Sequence, residues 1–227
     1  MTTGPAATAT PAPTITERLV AALTAAWRAI QQEHPEVPDT VLTLGSGTLS
    51  QRGATVLGHF AAGRWQLGED KQLPELFVGG EGLRAGAAGV MATLLHEAAH
   101  GLASTRGIRD TSREGRYHNA KYKTLAEELG LAVVEDGNRG WSGTTMAPET
   151  TQRYAEQVAA LAQAIIAYRH AENHGRGGAK PKNRNNLVAT CECPRRIRVA
   201  RAVLAEAPIL CGACDSEFTA EEDDEGA

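Results

Sequence analysis

Residues 83–103 read LRAGAAGVMATLLHEAAHGLA, and positions 96–100 within them follow the pattern His-Glu-x-x-His. The stretch is rich in alanine, leucine and methionine and has no proline, so it predicts a helix. On a helix, His96 and His100 lie one turn apart on the same face. Two imidazoles in this relation can bind one zinc ion, with Glu97 beside it as the base that takes a proton from a zinc-bound water.

A catalytic zinc ion usually has three protein ligands, so the chain has to supply one more. A metzincin-type pattern would need a histidine at position 106, and Arg106 excludes that class. His118 is the favoured third ligand, because it follows a glycine-containing loop and opens the next predicted helix, 118–129. Glu127 or Glu128 on that helix is the alternative, and the spacing leaves it open.

Other polar residues near the motif are candidates for supporting roles, and the sequence does not choose among them. A hydrogen-bond acceptor has to orient each metal-binding histidine. The candidates for this role are Asp110, Glu114, Glu127 and Glu128. Tyr117 or Tyr122 would stabilise the oxyanion of a tetrahedral intermediate.

The segment 96–131, HEAAHGLASTRGIRDTSREGRYHNAKYKTLAEELGL, resembles the core of the SprT-like (Spartan-related) zinc metallopeptidases. In that family a loop and a third histidine at the start of a short helix follow the HExxH helix, and here that histidine is His118 in Tyr117-His118-Asn119. Most of 15–218 follows the family's order of elements. The resemblance implies a zincin-like helical core and zinc-dependent peptidase activity, and some members of the family act on proteins attached to DNA.

The segment before the HExxH helix predicts a helix and a small antiparallel β meander. The helix is 17–32, with Thr16 as its N-cap. Its apolar residues recur at helical spacing and are Leu19, Leu23, Trp27 and Ile30. Glycine-separated apolar runs predict strands at 41–44, 54–60, 64–67 and 75–78. After the HExxH helix we expect a strand at 131–134 and a long amphipathic helix at 150–171, so the fold class is α+β.

All four cysteines lie near the C-terminal end, as Cys191-Glu192-Cys193 and Cys211-Gly212-Ala213-Cys214. Two close pairs separated by a strand-forming stretch predict a C-terminal zinc ribbon, in which four thiolates bind one structural zinc ion. The first pair is one residue shorter than the usual CxxC knuckle. One alternative is a disulfide, which a cytoplasmic location disfavours. The other is a redox CxxC pair, although no thioredoxin-like unit surrounds it.

Charge is unevenly distributed, although the formal net charge is only -4. Residues 174–201 contain eight lysines and arginines and one glutamate, which makes this segment strongly basic and suggests a polyanionic partner such as DNA. Few aromatic residues are present for base stacking, so binding would be directed to the DNA backbone and sensitive to salt. The alternative is a merely solvated basic face. The candidate residues are Arg176, Lys180, Lys182, Arg184, Arg195, Arg196, Arg198 and Arg201.

These patterns divide the chain into five predicted parts. They are a disordered N-terminus (1–13), a SprT-like metallopeptidase domain (14–171), a basic linker (172–186), a zinc-ribbon module (187–220) and an acidic tail (221–227). The N-terminal segment lacks a basic region followed by an apolar stretch, and the apolar run 85–95 is too short to cross a bilayer. We therefore expect a cytoplasmic protein with no membrane partner.

The predicted function is that of a zinc endopeptidase with one catalytic and one structural zinc ion. Its substrates would be proteins or peptides, with DNA-associated proteins among them. Two alternatives stay open. One is a non-catalytic protein that binds zinc and nucleic acid, and the other is a regulatory peptidase that cleaves a single repressor-like partner.

Overall fold

The computed structural model describes residues 12–47, 55–171 and 186–220, and the fold is mixed α+β as predicted. The chain forms two compact units, Met1–Ala171 and Glu172–Ala227. The predictions for 1–11, for most of the basic linker and for the acidic tail lie outside the described residues. In the described ranges, no helix is both long enough and apolar enough to span a membrane.

The first helix, α1 (Ile15–Glu33), begins two residues earlier than predicted. Its N-cap is Thr14 and not Thr16, because Thr14 forms a capping box with Glu17. The Thr14 hydroxyl accepts a hydrogen bond from the Glu17 backbone N–H at 3.2 Å, and the Glu17 carboxylate accepts one from the Thr14 N–H at 2.7 Å. The predicted apolar stripe is confirmed, since Leu19, Leu23, Trp27 and Ile30 are all buried.

The first sheet contains β1 (Val41–Gly45), β2 (Gly58–Leu67) and β3 (Lys71–Gly79) in the order β1-β3-β2. The prediction of an antiparallel meander was wrong, because β1 runs parallel to β3 and only β2 is antiparallel to it. The predicted strands 54–60 and 64–67 are replaced by the single strand β2. Gly63, with φ +63°, lies at a register shift inside this strand, so the glycine accommodates an irregularity and does not end the strand.

The HExxH segment forms α2 (Gly86–Thr105), which follows a short 3-10 helix at Gly80–Ala85. The helix predicted at 83–103 is confirmed. Apolar residues on several sides of α2 are buried, among them Leu94, Leu95 and Ala98. A helix buried on most of its surface holds its polar side chains in fixed positions, because the surrounding elements leave little room for movement.

A second sheet follows, with strands in the order β4-β5-β7-β6. Its strands are β4 (Thr111–Ser112), β5 (Tyr117–His118), β6 (Leu131–Asp136) and β7 (Gly140–Met146), and the helix α3 (Ala120–Glu128) lies between β5 and β6 in the sequence. The helix predicted at 118–129 therefore begins after His118, which lies in β5. Asn119 is the N-cap, and its side-chain oxygen accepts hydrogen bonds from the backbone N–H groups of Lys121 and Tyr122.

The long helix predicted at 150–171 is two short helices, α4 (Pro148–Arg153) and α5 (Ala155–Ala164). The chain leaves helical geometry at Tyr154, which is buried between them. After Ala164 it runs in non-helical conformation, and the Arg169 backbone N–H donates to the Gly80 carbonyl at 2.9 Å. This contact binds the segment to the 3-10 helix that precedes α2.

The second unit contains a small antiparallel sheet of β8 (Asn186–Thr190), β9 (Arg196–Ala200) and β10 (Thr219–Ala220) in the order β10-β8-β9. A short helix, α6 (Arg201–Glu206), follows β9 and was not predicted. The buried core of the second unit consists of Ala189, Phe218, Cys191 and Cys211. A cysteine cluster inside a small sheet is compatible with the predicted ribbon.

Candidate metal-binding sites

His96, His100 and His118 converge in the first unit, and each offers a ring nitrogen within 4.8 Å of the others. The first two come from α2 and the third from β5. The ring centroids are 5.2 Å apart for His96 and His100 and 5.0 Å apart for the two pairs that include His118. Three imidazoles around one ion at a zinc–nitrogen distance of about 2.1 Å would have their centroids about 5 Å apart. The group could therefore hold a metal ion.

Each of the three histidines has a polar partner at Nδ1. His96 contacts the Thr144 hydroxyl at 3.1 Å, His100 contacts Asp110 Oδ2 at 2.5 Å, and His118 contacts the Arg139 carbonyl at 3.3 Å. A partner at Nδ1 fixes the ring orientation and directs Nε2 toward the centre of the group, which is the usual arrangement around a metal-binding histidine.

Among the predicted orienting residues, only Asp110 contacts a histidine of the group. The other three candidates are engaged on the surface, where Glu114 pairs with Arg116, Glu127 with Lys123, and Glu128 with Arg106. Neither Glu127 nor Glu128 is part of the group that could hold a metal ion, so the alternative third ligand is not supported. Sequence reasoning missed Thr144 and the Arg139 carbonyl, because β7 and the turn before it reach the site only through pairing of distant strands.

Burial and neighbouring charges give the three histidines different proton affinities. Burial, with His100 and His118 adding to it, pushes the pKa of His96 well below its ordinary value. Burial and the proximity of His100 also lower the pKa of His118. Burial alone would lower the pKa of His100, but the hydrogen bond with Asp110 and the nearby carboxylate charges raise it. His96 and His118 are therefore neutral near pH 7, as a metal ligand has to be.

Glu97 is buried next to the first histidine, with 5% of its surface exposed. Burial raises the pKa of Glu97, while His100 and a hydrogen bond from the Phe60 backbone oppose the shift. The carboxylate lies against β2, since a Cβ atom added at Gly58 would be 3.1 Å from Glu97 Oε1. The strand and the helix thus enclose a carboxylate whose pKa is shifted toward neutral pH.

The two candidate tyrosines have different environments. The Tyr117 hydroxyl donates to Glu135 Oε1 at 3.4 Å, and its ring lies under the Arg113 guanidinium. Tyr122 is fully buried and its ring contacts all three histidine rings. Burial and the charges of Glu97 and Asp110 raise the pKa of Tyr122, so it stays a neutral phenol.

The four cysteines form a second group that could hold a metal ion, and all four are free thiols. The Sγ atoms of Cys191 and Cys193 lie 3.3 Å apart, and those of Cys193 and Cys211 lie 3.7 Å apart. The shortened first pair therefore still brings both of its thiols to the cluster. Ser216 supports the site, since its hydroxyl lies 2.9 Å from Cys214 Sγ and accepts a hydrogen bond from the Glu192 N–H.

The predicted nucleic-acid-binding residues are only partly within the described chain. Arg195, Arg196, Arg198 and Arg201 are exposed, on β9, just before it and at the start of α6. Within 186–220, none of these four forms an ion pair. The other four candidates, Arg176, Lys180, Lys182 and Arg184, lie outside the described residues.

Comparisons of the chain with protein-family models, with curated proteins and with solved structures found no significant match.

Proposed function

We propose that the protein is a zinc-dependent endopeptidase whose catalytic centre consists of Glu97 and the three histidines His96, His100 and His118. The main support is one geometric observation. Each of three imidazoles has a polar partner at Nδ1 and offers a ring nitrogen within 4.8 Å of the other two, beside a buried carboxylate. Three ligands leave one coordination position for substrate, which is the pattern of a catalytic site and not of a structural one.

Zinc is the proposed metal because imidazole ligands suit it and it has no redox chemistry of its own. When bound, it would supply a Lewis acid that polarises the scissile carbonyl. The histidines would hold it in a fixed position through their Nδ1 contacts. Glu97 would accept a proton from the attacking water and pass it to the leaving amine, and a pKa raised by burial suits a group that has to do both.

The cysteine group is proposed to bind a second zinc ion with a structural role. Four thiolates complete a tetrahedral shell and leave no position for substrate. Together with the order of a helix, strands, an HExxH helix and a third histidine, this module supports a relation to the SprT-like metallopeptidases. A cytoplasmic location belongs to the same proposal.

Replacement of Glu97 by glutamine tests the proposed activity. The amide keeps the shape of the side chain but accepts no proton, so hydrolysis of an unfolded protein substrate should fall about 100- to 10,000-fold. Zinc content should not change. The matched control is Glu127→Gln, an exposed carboxylate that pairs with Lys123 away from the histidines. Unaltered hydrolysis in Glu97→Gln would refute the role, and so would loss of zinc.

A second candidate function is supported by the exposed arginines of the second unit. Arginines without acidic partners are available to phosphate groups, so we propose double-stranded DNA as a partner that brings the peptidase to DNA-associated proteins. Hydrolysis that increases when DNA is added would support this version. A rate of hydrolysis that does not change when DNA is added would favour a peptidase with a single dedicated partner. DNA binding without any hydrolysis would favour a non-catalytic zinc protein.

A further inference from the structure

The ring of Tyr122 occupies a special position relative to the three histidines. Its centroid lies 4.9 Å from that of His96, 4.8 Å from that of His100 and 4.4 Å from that of His118. The histidine centroids are themselves 5.0 to 5.2 Å apart. The four rings therefore stand at the corners of a nearly regular tetrahedron. Tyr122 covers one side of the histidine triangle evenly, and each histidine contacts the same aromatic surface.

This position limits where a metal ion can lie. The phenol ring fills the space on its own side of the triangle, at contact distance from every imidazole. An ion shared by the three histidines therefore has to lie on the opposite side. Because Tyr122 is fully buried, water does not reach the histidine triangle from the side that Tyr122 covers. An ion bound there would then be reached from the side away from Tyr122.

The local sequence explains how Tyr122 reaches this place. Tyr122 follows His118 by four residues, and Asn119 joins the two. The Asn119 backbone N–H donates to the Asp110 carbonyl at 3.0 Å, and its side-chain oxygen accepts from the Tyr122 backbone N–H at 3.3 Å. The Asp110 carboxylate in turn contacts His100. One short polar chain therefore positions Tyr122 together with two of the three histidines.

The hydroxyl of Tyr122 does not take part in this arrangement. It is buried and has no hydrogen-bond partner among the described residues. A buried hydroxyl without a partner costs about 1–3 kcal/mol, so it does not account for the placement of the side chain. The aromatic ring makes the contacts that matter.

We propose that Tyr122 is a positioning residue, whose ring forms the floor of the histidine site and holds the three imidazoles in the geometry that binds metal. The proposal rests on the metal-binding part of the proposed function and is independent of peptidase activity. It predicts that metal binding requires the aromatic ring of Tyr122 and does not require its hydroxyl.

Metal titration of the full-length, metal-free protein tests the proposal. Co2+ serves as a spectroscopic probe, because imidazole-bound Co2+ gives weak visible bands, while thiolate-bound Co2+ gives intense charge-transfer bands that report the cysteine group separately. Zn2+ competition then measures affinity. Tyr122→Phe should leave the visible bands and the affinity of the histidine site unchanged. Tyr122→Leu should alter the bands and weaken affinity about 10- to 100-fold, as the loss of other groups that orient ligands does.

Tyr154→Leu is the matched control. Tyr154 is equally buried and its hydroxyl also lacks a partner in the described chain, but none of its ring contacts is with a histidine of the site. This variant should lose stability yet keep the metal affinity and the visible bands of the wild type. If Tyr122→Leu does not fold, the flexible Tyr122→Met variant takes its place, with the same expected weakening.

Two negative results have different meanings. If the metal affinity of Tyr122→Leu, or of Tyr122→Met in its place, equals that of Tyr154→Leu, the role of Tyr122 as the floor of the site is refuted. The histidine site itself would still bind metal in that case. If the wild-type protein itself shows only the thiolate bands, the histidine site does not bind metal and the proposed function fails with it.

Discussion

The Nε2 atoms of His100 and His118 lie 3.1 Å apart, although one residue belongs to a helix and the other to a strand. Both rings contact an acceptor at Nδ1, the carboxylate of Asp110 and the carbonyl of Arg139. Because these acceptors hold the proton of a neutral ring at Nδ1, the two facing nitrogens carry lone pairs. Two lone pairs at this distance repel each other unless a cation lies between them, either a metal ion or a proton carried by His100, whose pKa is raised. The close approach of the two nitrogens is compatible with a shared metal ion.

Removal of the Asp110 carboxylate should weaken metal binding. Asp110 fixes the proton of His100 at Nδ1 and increases the basicity of its Nε2. We expect Asp110→Ala to lower zinc affinity about 10- to 100-fold in a chelator competition. Glu114→Ala is the control from the same loop, since Glu114 is exposed and pairs with exposed Arg116. Equal affinities in the two variants would show that His100 is oriented by its helix alone.

Two glycines with positive φ should respond differently to alanine. Gly130 has φ +82°, and a Cβ atom there would lie 2.0 Å from the Thr150 hydroxyl oxygen, whereas at Gly107, with φ +63°, it would meet nothing within 4 Å. Both substitutions strain the backbone, by about 1 kcal/mol. Gly130→Ala should cost at least about 1–2 kcal/mol more, because it also breaks the 2.7 Å hydrogen bond from Thr150 to the Gly130 carbonyl. Urea unfolding measures the difference, and equal losses would contradict the close contact.

Arg106 should make stability depend on pH at the acidic end. It bridges Glu36 and Glu128, and hydrogen bonds from its guanidinium lower the pKa of both carboxylates. A carboxylate whose pKa is lowered in the folded state stabilises the fold fully above its ordinary pKa of 4.5. This contribution to stability is lost as the pH falls through the folded-state pKa. Arg106→Gln should therefore lower Tm slightly at pH 7, because the network is exposed, and lower it less near pH 3.

The control for Arg106 is Arg116→Gln, which removes an arginine from a more exposed pair with Glu114. Its Tm should match the wild type at both pH values. A Tm loss in Arg106→Gln that is as large at pH 3 as at pH 7 would mean that the side chain acts through packing and not through charge.

The arginines of the second unit should set the salt dependence of DNA binding. Arg196 and Arg198 lie on β9 with exposed side chains. If each neutralises one phosphate, the double variant Arg196→Ala/Arg198→Ala should reduce the slope of log K against log salt by about 2 for double-stranded DNA. Arg113→Ala/Arg116→Ala removes two exposed arginines from the first unit and should leave the slope unchanged. The same slope in all three proteins would place DNA contacts elsewhere.

The parts of the site that follow from local geometry were predictable from the sequence. The spacing of His96 and His100 fixes their relation on one helix, and the neighbouring Glu97 follows with them. His118, the predicted third ligand, lies in the same group, but it belongs to a strand and not to the start of the following helix. Thr144 and the Arg139 carbonyl depend on pairing between distant strands, which leaves no local signal.

The fold shows the same division between local and long-range determinants. The buried stripe of α1 follows from helical spacing, but two threonines compete for its N-cap, and the capping box with Glu17 favours Thr14. Helix propensity continues through 150–171, yet the chain leaves the helix at Tyr154 and again after Ala164. Tertiary contacts, such as those of Thr150 with Gly130 and of Arg169 with Gly80, override local preference there.

Anomalous X-ray diffraction from a crystal of the full-length protein, collected on both sides of the zinc absorption edge, is the most direct test of the histidine site. We expect one zinc peak about 2.1 Å from the Nε2 atoms of His96, His100 and His118, and a second peak among the four cysteine sulfurs. A single peak at the cysteines, with the three imidazoles separated by ordinary water, would contradict the account.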